Sequence, residues 1–270
     1  MSDAFLKEEQ LKKILKECGS AAVAFSGGVD SAYLLSVAAE VLKERCAALT
    51  AKAVFFPERE QTEADAFCRE RGIRQIRISV DILLVPGVAE NPKDRCYLCK
   101  RALFTKMQDI AAAEGFAVLC EGSNLDDLGD YRPGLRAIAE LGVRSPLREA
   151  GLSKAEIRAL SKSRDLPTWQ KPSFACLASR FVYGEALTEE GLRRTEAAEA
   201  LLADLGFSQY RVRVHGDLAR IEVLPEDLSR LMSEPVRRKV HKALKELGFS
   251  YVCADLGGYR TGSMNSFLER

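Results

Sequence analysis

Histidine and tryptophan are scarce in this chain, at two and one in 270 residues. With only His215 and His241 available, histidine-rich metal centres are hard to assemble. Neither sign of charge prevails: 40 Lys and Arg face 39 Asp and Glu, a formal net charge of +1. Phosphate contacts normally leave a nucleic-acid-gripping protein with a marked basic excess, so the balance argues against nucleic acid as partner. The longest uncharged apolar runs, 21–25 and 82–88, fall well short of the roughly 20 residues that cross a bilayer. Met1-Ser2-Asp3-Ala4-Phe5 leads into Lys7-Glu8-Glu9 with no basic and apolar regions of a secretory signal. The expectation is a cytoplasmic protein that engages no membrane. With 47% hydrophobic residues, the chain can bury a core in each of two domains.

What is present is an alternation. Apolar positions at helical spacing over 3–17 end at Gly19. A short apolar strand at 21–25, a tight loop at 26–30 and a helix at 31–42 follow, and the pattern repeats: strand 47–55, helix 60–71, strand 73–80, helix 98–114, strand 116–121. Such alternation predicts an α/β fold, a parallel sheet with helices on both faces, whose ligands bind beyond the carboxyl ends of the strands. From about residue 180 the texture changes to a helix at 187–205, strands at 210–215 and 218–224, a helix at 236–247 and a strand at 251–254, a smaller α+β unit. The expected domains are 1–180 and 181–270, with the boundary in or just after the irregular stretch 171–180.

The most informative segment is Ser26-Gly27-Gly28-Val29-Asp30-Ser31, between a strand and a helix. Two glycines let the backbone turn sharply and bring its N–H groups against a ligand. The helix N-terminus adds unbonded N–H donors, and the two serines add hydroxyls, a set suited to phosphate oxygens. No lysine follows the glycines, so the Walker pattern that cradles β- and γ-phosphates is absent. Cleavage between the α- and β-phosphates is the better match. The plain alternative is a strand-to-helix turn capped by Asp30 or Ser31.

Of the eight cysteines, Cys18, Cys46, Cys68, Cys120 and Cys253 lie in or beside apolar patterns and read as small hydrophobes. Cys96 and Cys99 form a Cys-x-x-Cys pair ahead of a helix, spaced to share a metal. Two more ligands for zinc are missing, so a third thiol must come from elsewhere, and Cys176 is the natural candidate. It occupies an irregular stretch beside Ser173, Ser179 and Arg180, where a guanidinium favours the thiolate. Two unligated thiols and a buried Cys176 are the alternatives. Arg211 and Arg213 alternate on a predicted strand and share a side, offering forked donors to an anion or lying on a solvated face.

Ser-Gly-Gly-x-Asp-Ser after an apolar strand resembles the PP-loop of the ATP pyrophosphatase superfamily, whose members adenylate an oxygen and release pyrophosphate. The chain further carries Glu121-Gly122-Ser123-Asn124, Asp130-Tyr131-Arg132-Pro133-Gly134, Cys176 with Ser179-Arg180-Phe181-Val182-Tyr183-Gly184, Arg211-Val212-Arg213 and Asp255-Leu256-Gly257-Gly258-Tyr259-Arg260. Together these resemble the LarE family, ATP-dependent sulfur transferases of nickel-pincer nucleotide cofactor synthesis, over nearly the whole chain. The resemblance implies adenylation of a carboxylate of pyridinium-3,5-biscarboxylic acid mononucleotide, followed by attack of a protein-held sulfur to leave a thiocarboxylate. It implies ATP near Ser26, Gly27, Gly28, Asp30, Ser31, Gly122, Asp127 and Arg180, with Mg2+ at Asp30. It implies substrate near Ser179, Arg211, Arg213, Glu199 and Glu222, although Glu199 on an amphipathic helix also reads as a surface charge. The family has one version in which a single cysteine gives up its own sulfur, and another in which three cysteines hold a 4Fe-4S cluster. Cys96 and Cys99, absent from the first version, favour the second, with Cys176 as both third ligand and sulfur-transfer position. A homo-oligomer joined through the C-terminal unit is also implied. The competing readings are an iron-sulfur thiolase acting on tRNA, a sacrificial Cys176 without cluster, an ammonia-using synthetase, and a module that binds ATP without turnover.

Overall fold

The computed structural model describes residues 3–129, 133–172 and 175–260. The chain forms two compact units, the first from residues 1–85 and 94–174, the second from residues 86–93 and 175–270.

The first unit opens with helix α1 (Asp3–Glu17) and strand β1 (Ala21–Ala24), then alternates α2 (Val29–Leu42), β2 (Cys46–Lys52), α3 (Glu58–Glu70), β3 (Gln75–Ser79), α4 (Arg95–Ala113) and β4 (Val118–Cys120). Helices α5 (Pro133–Glu140), α6 (Pro146–Glu149) and α7 (Lys154–Ser163) complete it. The four strands are parallel in the order β3-β2-β1-β4. Successive strand residues serve opposite faces. Ala21 and Val23 pack with Leu11, Leu15, Leu34 and Leu35 of α1 and α2, whereas Ala22, Leu49, Ile78 and Leu119 pack with Leu103, Phe104, Met107 and Ala111 of α4. The sheet is therefore covered on both faces, the arrangement expected of buried parallel strands.

Helix α4 begins at Arg95, so Cys96 and Cys99 lie within its first turns and not ahead of it as expected from sequence. Helices α5 to α7 were not anticipated; α7 starts on a capping box in which Glu156 N–H donates to Ser153 Oγ and Ser153 N–H to Glu156 Oε2. Asp130, Tyr131 and Arg132 of one quoted motif, and Ser173 beside Cys176, lie outside the described residues.

The second unit carries α8 (Glu189–Asp204), β5 (Tyr210–His215), β6 (Leu218–Val223), α9 (Leu228–Met232), α10 (Glu234–Glu246) and β7 (Tyr251–Ala254). Strands β5 and β6 are antiparallel and β6 and β7 parallel, in the order β5-β6-β7. Leu192, Thr195, Ala198, Glu199 and Leu202 form the buried stripe of α8, which packs on β5. The segment 86–93 joins this unit through the chain at 182–187: Asn91 Nδ2 donates to Val182 O (2.7 Å), Gly184 N to Asn91 O (2.8 Å) and Leu187 N to Ala89 O (2.7 Å). Among the described residues no helix is long and apolar enough to cross a membrane.

Candidate functional site

In the first unit, the chain leaves β1 toward β2 on one side and returns from β3 to β4 on the other, so β1 and β4 flank the point where strand order reverses. Crevices at such points, beyond the carboxyl ends of the strands, bind ligands. Both glycine loops open there. Gly27 adopts φ +74° and Gly28 is the N-cap of α2, so no N-cap side chain occupies the first helix N–H groups. Ser26 Oγ and Ser31 Oγ stand 3.1 Å apart, Gly28 N–H points to Ser26 Oγ (3.4 Å), and Ser31 Oγ donates to Gly28 O (3.2 Å). The result is a small nest of hydroxyls and backbone donors at a helix N-terminus, competent for phosphate.

Gly122, after β4, touches this nest directly: a Cβ there would lie 3.0 Å from Ser31 N and 3.2 Å from Ser31 Cα. Asn124 ties the remaining acids together. Its Nδ2 donates to Asp30 Oδ1 (3.3 Å) and its backbone N–H to Asp127 Oδ2 (2.9 Å). The structure thus gathers Ser26, Gly27, Gly28, Asp30, Ser31, Gly122 and Asp127 at one edge of the sheet. Asp126 instead accepts from the Lys154 backbone N–H (2.8 Å), at the start of α7.

Two lysines join this edge that sequence reasoning missed. Lys154 Nζ pairs with Asp30 Oδ2. Lys171 Nζ donates to Gly27 O (3.1 Å) and lies 2.6 Å from Glu60 Oε2 and 2.7 Å from Glu63 Oε2. Burial pushes the Glu60 carboxyl above the ordinary carboxylate value, against the opposing pull of Lys171.

In the second unit, Arg180 is fully buried and grips Glu199 with a fork, Nε to Oε1 (2.9 Å) and Nη2 to Oε2 (2.8 Å). Glu199 Oε1 also accepts from the Val212 backbone N–H (2.9 Å), so Glu199 is a buried hub and not the surface charge its helix pattern suggested. The remaining Arg180 nitrogen, Nη1, donates to Ala175 O (2.6 Å), Cys176 O (3.1 Å) and Ser179 Oγ (2.9 Å). Cys176 O accepts in addition from Ser179 N (3.0 Å) and Ser179 Oγ (2.8 Å). Arg180 therefore acts on Cys176 by fixing its main chain, and the half-buried Cys176 side chain projects from a segment held at its carbonyl.

Arg213 donates to Glu222 Oε2 (Nε, 3.0 Å) and to Ser179 O (Nη1, 3.0 Å), and Glu222 Oε1 lies 3.3 Å from Arg220 Nη2. Strand register sets Arg213 directly opposite Arg220, and Glu222 binds both like charges. Arg211 stacks near the Tyr259 ring, its Cζ 5.2 Å from the centroid. Burial, and then the nearby Arg180 charge, pushes the Arg211 guanidinium down to about 10. Ser179, Glu199, Arg211, Arg213 and Glu222 are thus neighbours around β5, and a buried guanidinium disfavoured by a second cation is a setting that an anion would relieve.

All eight cysteines are free thiols. Cys96 and Cys99, both half-buried, share a face of α4 at i, i+3 spacing, and Arg95 Nη2 approaches Cys96 Sγ (3.6 Å). Among the described residues no three His, Cys, Asp or Glu side chains stand together as a metal site. Burial pushes the thiols of Cys46 and Cys68 up to about 12, in keeping with inert core positions. Cys18 is drawn down to about 7 by its hydrogen bond with Cys120, with Arg144 Nη1 3.5 Å from its sulfur, so these two form a polar pair inside the core. Cys253 is exposed, because it shares the outward face of β7 with Tyr251, and is not the buried hydrophobe its sequence setting suggested.

No known family model matches the chain. Three characterised or catalogued proteins resemble it along most of their length. An uncharacterised protein of Synechocystis sp. is 39% identical over 264 residues, 98% of both chains. The pyridinium-3,5-bisthiocarboxylic acid mononucleotide synthase of Lactiplantibacillus plantarum is 38% identical over 272 residues, covering 100% of this chain and 98% of the synthase. An uncharacterised protein of Methanocaldococcus jannaschii is 29% identical over 239 residues, 88% of this chain and 90% of the relative. Identity of this level sustained from end to end leaves no room for a different fold or a partial match: the chain belongs to the LarE family, that of the pyridinium-3,5-bisthiocarboxylic acid mononucleotide synthase.

Proposed function

We propose that this protein is an ATP-dependent sulfur transferase that converts a carboxylate of pyridinium-3,5-biscarboxylic acid mononucleotide to a thiocarboxylate in synthesis of the nickel-pincer nucleotide. The end-to-end identity to the L. plantarum synthase carries the reading. The phosphate nest at the sheet edge supports it.

In this mechanism Ser26, Ser31 and the Gly28 N–H bind the pyrophosphate portion of ATP, and Gly122 lets the two loops close without a side chain between them. Asp30 and Asp127 fit Mg2+, which takes one or two carboxylates and completes its shell with water and phosphate oxygens. Lys154, beside Asp30, is placed to follow the charge onto the phosphates. A substrate carboxylate oxygen attacks the α-phosphorus, the bond to the bridging oxygen breaks, and pyrophosphate departs. Arg211 and Arg213 orient the substrate's phosphate and carboxylates. A sulfur nucleophile then adds to the acyl carbon and AMP leaves.

By the family resemblance of their sequence segments, Cys96, Cys99 and Cys176 would be the ligands of a 4Fe-4S cluster, although among the described residues no three such side chains stand together as a metal site. Such a cluster would supply a renewable sulfide. Arg180 and Ser179 hold the Cys176 main chain for this step. We place the reaction in the reducing cytoplasm, where free thiols persist, and in a homo-oligomer joined through the second unit, which light scattering after size exclusion tests.

The test of function is mass spectrometry of products and intact protein after anaerobic reconstitution with iron and sulfide and addition of ATP, Mg2+, excess sulfide and the dicarboxylate mononucleotide. Thiocarboxylate in excess over protein, with Cys176 intact, is the expected result. Product stopping at one sulfur per chain, with Cys176 converted to dehydroalanine, replaces the cluster by a sacrificial cysteine. No thiocarboxylate, with tight and salt-sensitive tRNA binding, replaces the substrate by RNA. Cys99→Ala is expected to lower the iron content after reconstitution, and unchanged iron refutes the ligand set.

A further inference from the structure

Lys171 belongs to none of the motifs that suggested nucleotide chemistry, yet its ammonium touches the nest. Its side chain is 11% exposed and is held from several sides. Glu60 and Glu63 approach the ammonium at 2.6 and 2.7 Å, and Lys171 N–H donates to Thr168 O (2.9 Å). Arg158 donates to Lys171 O (Nη2, 2.8 Å) and to Trp169 O (Nη1, 2.6 Å), which fixes the main chain on which Lys171 sits. It meets the nest through the bond to Gly27 O at 3.1 Å.

That bond acts on a single peptide plane. In a trans peptide the carbonyl and the following N–H point in opposite directions. With Gly27 O drawn toward Lys171 and α3, the Gly28 N–H faces the other way, toward Ser26 Oγ and the serine pair. Turning the plane over would aim the Gly27 carbonyl oxygen into the nest, where it repels phosphate. The residues on either side of this plane are both glycines, the type for which such a rotation meets least steric resistance. A plane this free needs an external lock, and an almost buried ammonium anchored on two carboxylates is one.

We propose that Lys171 is a positioning residue for phosphate binding, holding the Gly27–Gly28 peptide with its N–H turned toward the anion. The proposal rests on the nucleotide reading of the loop. It differs from a direct phosphate contact, in which the lysine acts by its charge.

The experiment measures binding of ATP, inorganic pyrophosphate and adenosine to the full chain by calorimetry. Lys171→Met is expected to weaken ATP and pyrophosphate by at least about tenfold, the loss of one hydrogen bond to a charged group, and to leave adenosine unchanged. Lys171→Arg, which keeps a donor for Gly27 O, is expected to stay within about threefold of wild type. Lys171→Met combined with Glu60→Gln restores the local charge without restoring the lock, and is expected to keep the defect. Recovery in the double variant, or unchanged pyrophosphate binding in Lys171→Met, overturns the proposal while the nucleotide reading stands. Wild type that binds neither ATP nor pyrophosphate overturns both. Should Lys171→Met fail to fold, wild type labelled with 15N-glycine carries the test. Pyrophosphate is then expected to move the Gly28 amide proton downfield, and an unmoved Gly28 signal overturns the proposal.

Discussion

Removing the Glu199 carboxylate is the sharpest probe of the second unit. Arg180 is 0% and Glu199 5% exposed, so water does not replace either partner when the other is lost. Breaking a buried pair from one side costs about 3–5 kcal/mol, because a charge is left uncompensated. Glu199→Ala additionally orphans the Val212 N–H, which by itself costs about 1–3 kcal/mol. A loss of about 4–8 kcal/mol is expected, roughly a thousandfold or more in the folded-to-unfolded ratio. Glu199→Gln keeps an oxygen for Val212 and is expected to lose less, about 3–5 kcal/mol, from the charge alone. Urea unfolding followed by far-ultraviolet circular dichroism gives the free energies. Hydrogen exchange over residues 210–215 locates the loss. Replacing both partners, Arg180→Met with Glu199→Leu, is expected to be milder than Glu199→Ala, since the buried Arg180 charge is no longer left without its partner. That double variant also removes the donors to Ala175 O and Cys176 O, so its sulfur transfer is expected to fail while its stability recovers. Glu199→Ala within about 1 kcal/mol of wild type refutes the reasoning, because a solvated pair is worth no more than that.

Gly122→Ala puts a methyl against the main chain of Ser31, at 3.0 Å from its nitrogen, where no flexible side chain can give way. It is expected to cost about 1–3 kcal/mol and to weaken ATP binding, read by chemical denaturation and calorimetry. Burial, assisted by the Arg220 charge, lowers the His215 pKa below its ordinary 6.5. The unfolded chain therefore takes up the proton first as pH falls, and stability is lost from about pH 6.5 downward. His215→Asn is expected to flatten that slope in denaturation midpoints measured between pH 5 and 8, and an unchanged slope refutes it. Asp30→Asn is expected to abolish Mg2+-dependent pyrophosphate release, measured with a coupled phosphate assay, and full activity excludes Asp30 from the metal.

Helices α5 to α7 escape the sequence pattern, but from α1 to β4 the first unit is legible in it, because β1, β2 and β4 lie in apolar runs, β3 alternates Ile76 and Ile78 with polar residues, and the helices alongside them carry apolar runs or apolar residues at helical spacing. Val29–Leu42 is such a case, buried almost all round. The nest is legible for a related reason: Ser26 to Ser31 are contiguous, and contiguous residues make their geometry locally. Lys154 and Lys171 escape because their partners Asp30 and Gly27 lie 124 and 144 residues away in the chain. A lysine carries no local mark of such a meeting. The shared side of Arg211 and Arg213 follows from strand alternation, but the role of Glu222 depends on the register that sets Arg213 against Arg220. The burial of Glu199 has the same character, since its helix pattern shows a polar residue and only the packed unit supplies Arg180.

The assignment of Pro86–Lys93 to the second unit limits how this protein can be divided. The backbone passes between units after residues 85, 93 and 174, three times and not once. A fragment starting at Ala175 would lack Asn91 and Ala89, leaving the Gly184 and Leu187 N–H groups and the Val182 carbonyl without the acceptors and donor they have here. The second unit is therefore not a detachable cassette: it cannot be exchanged by a single crossover in a gene, nor released by one proteolytic cut. The first return passage delivers the chain to Arg95 and the Cys96 pair, and the last to Cys176. Recombination or truncation at either junction would disturb these thiols along with the fold, which couples the inheritance of the three cysteines to that of the architecture.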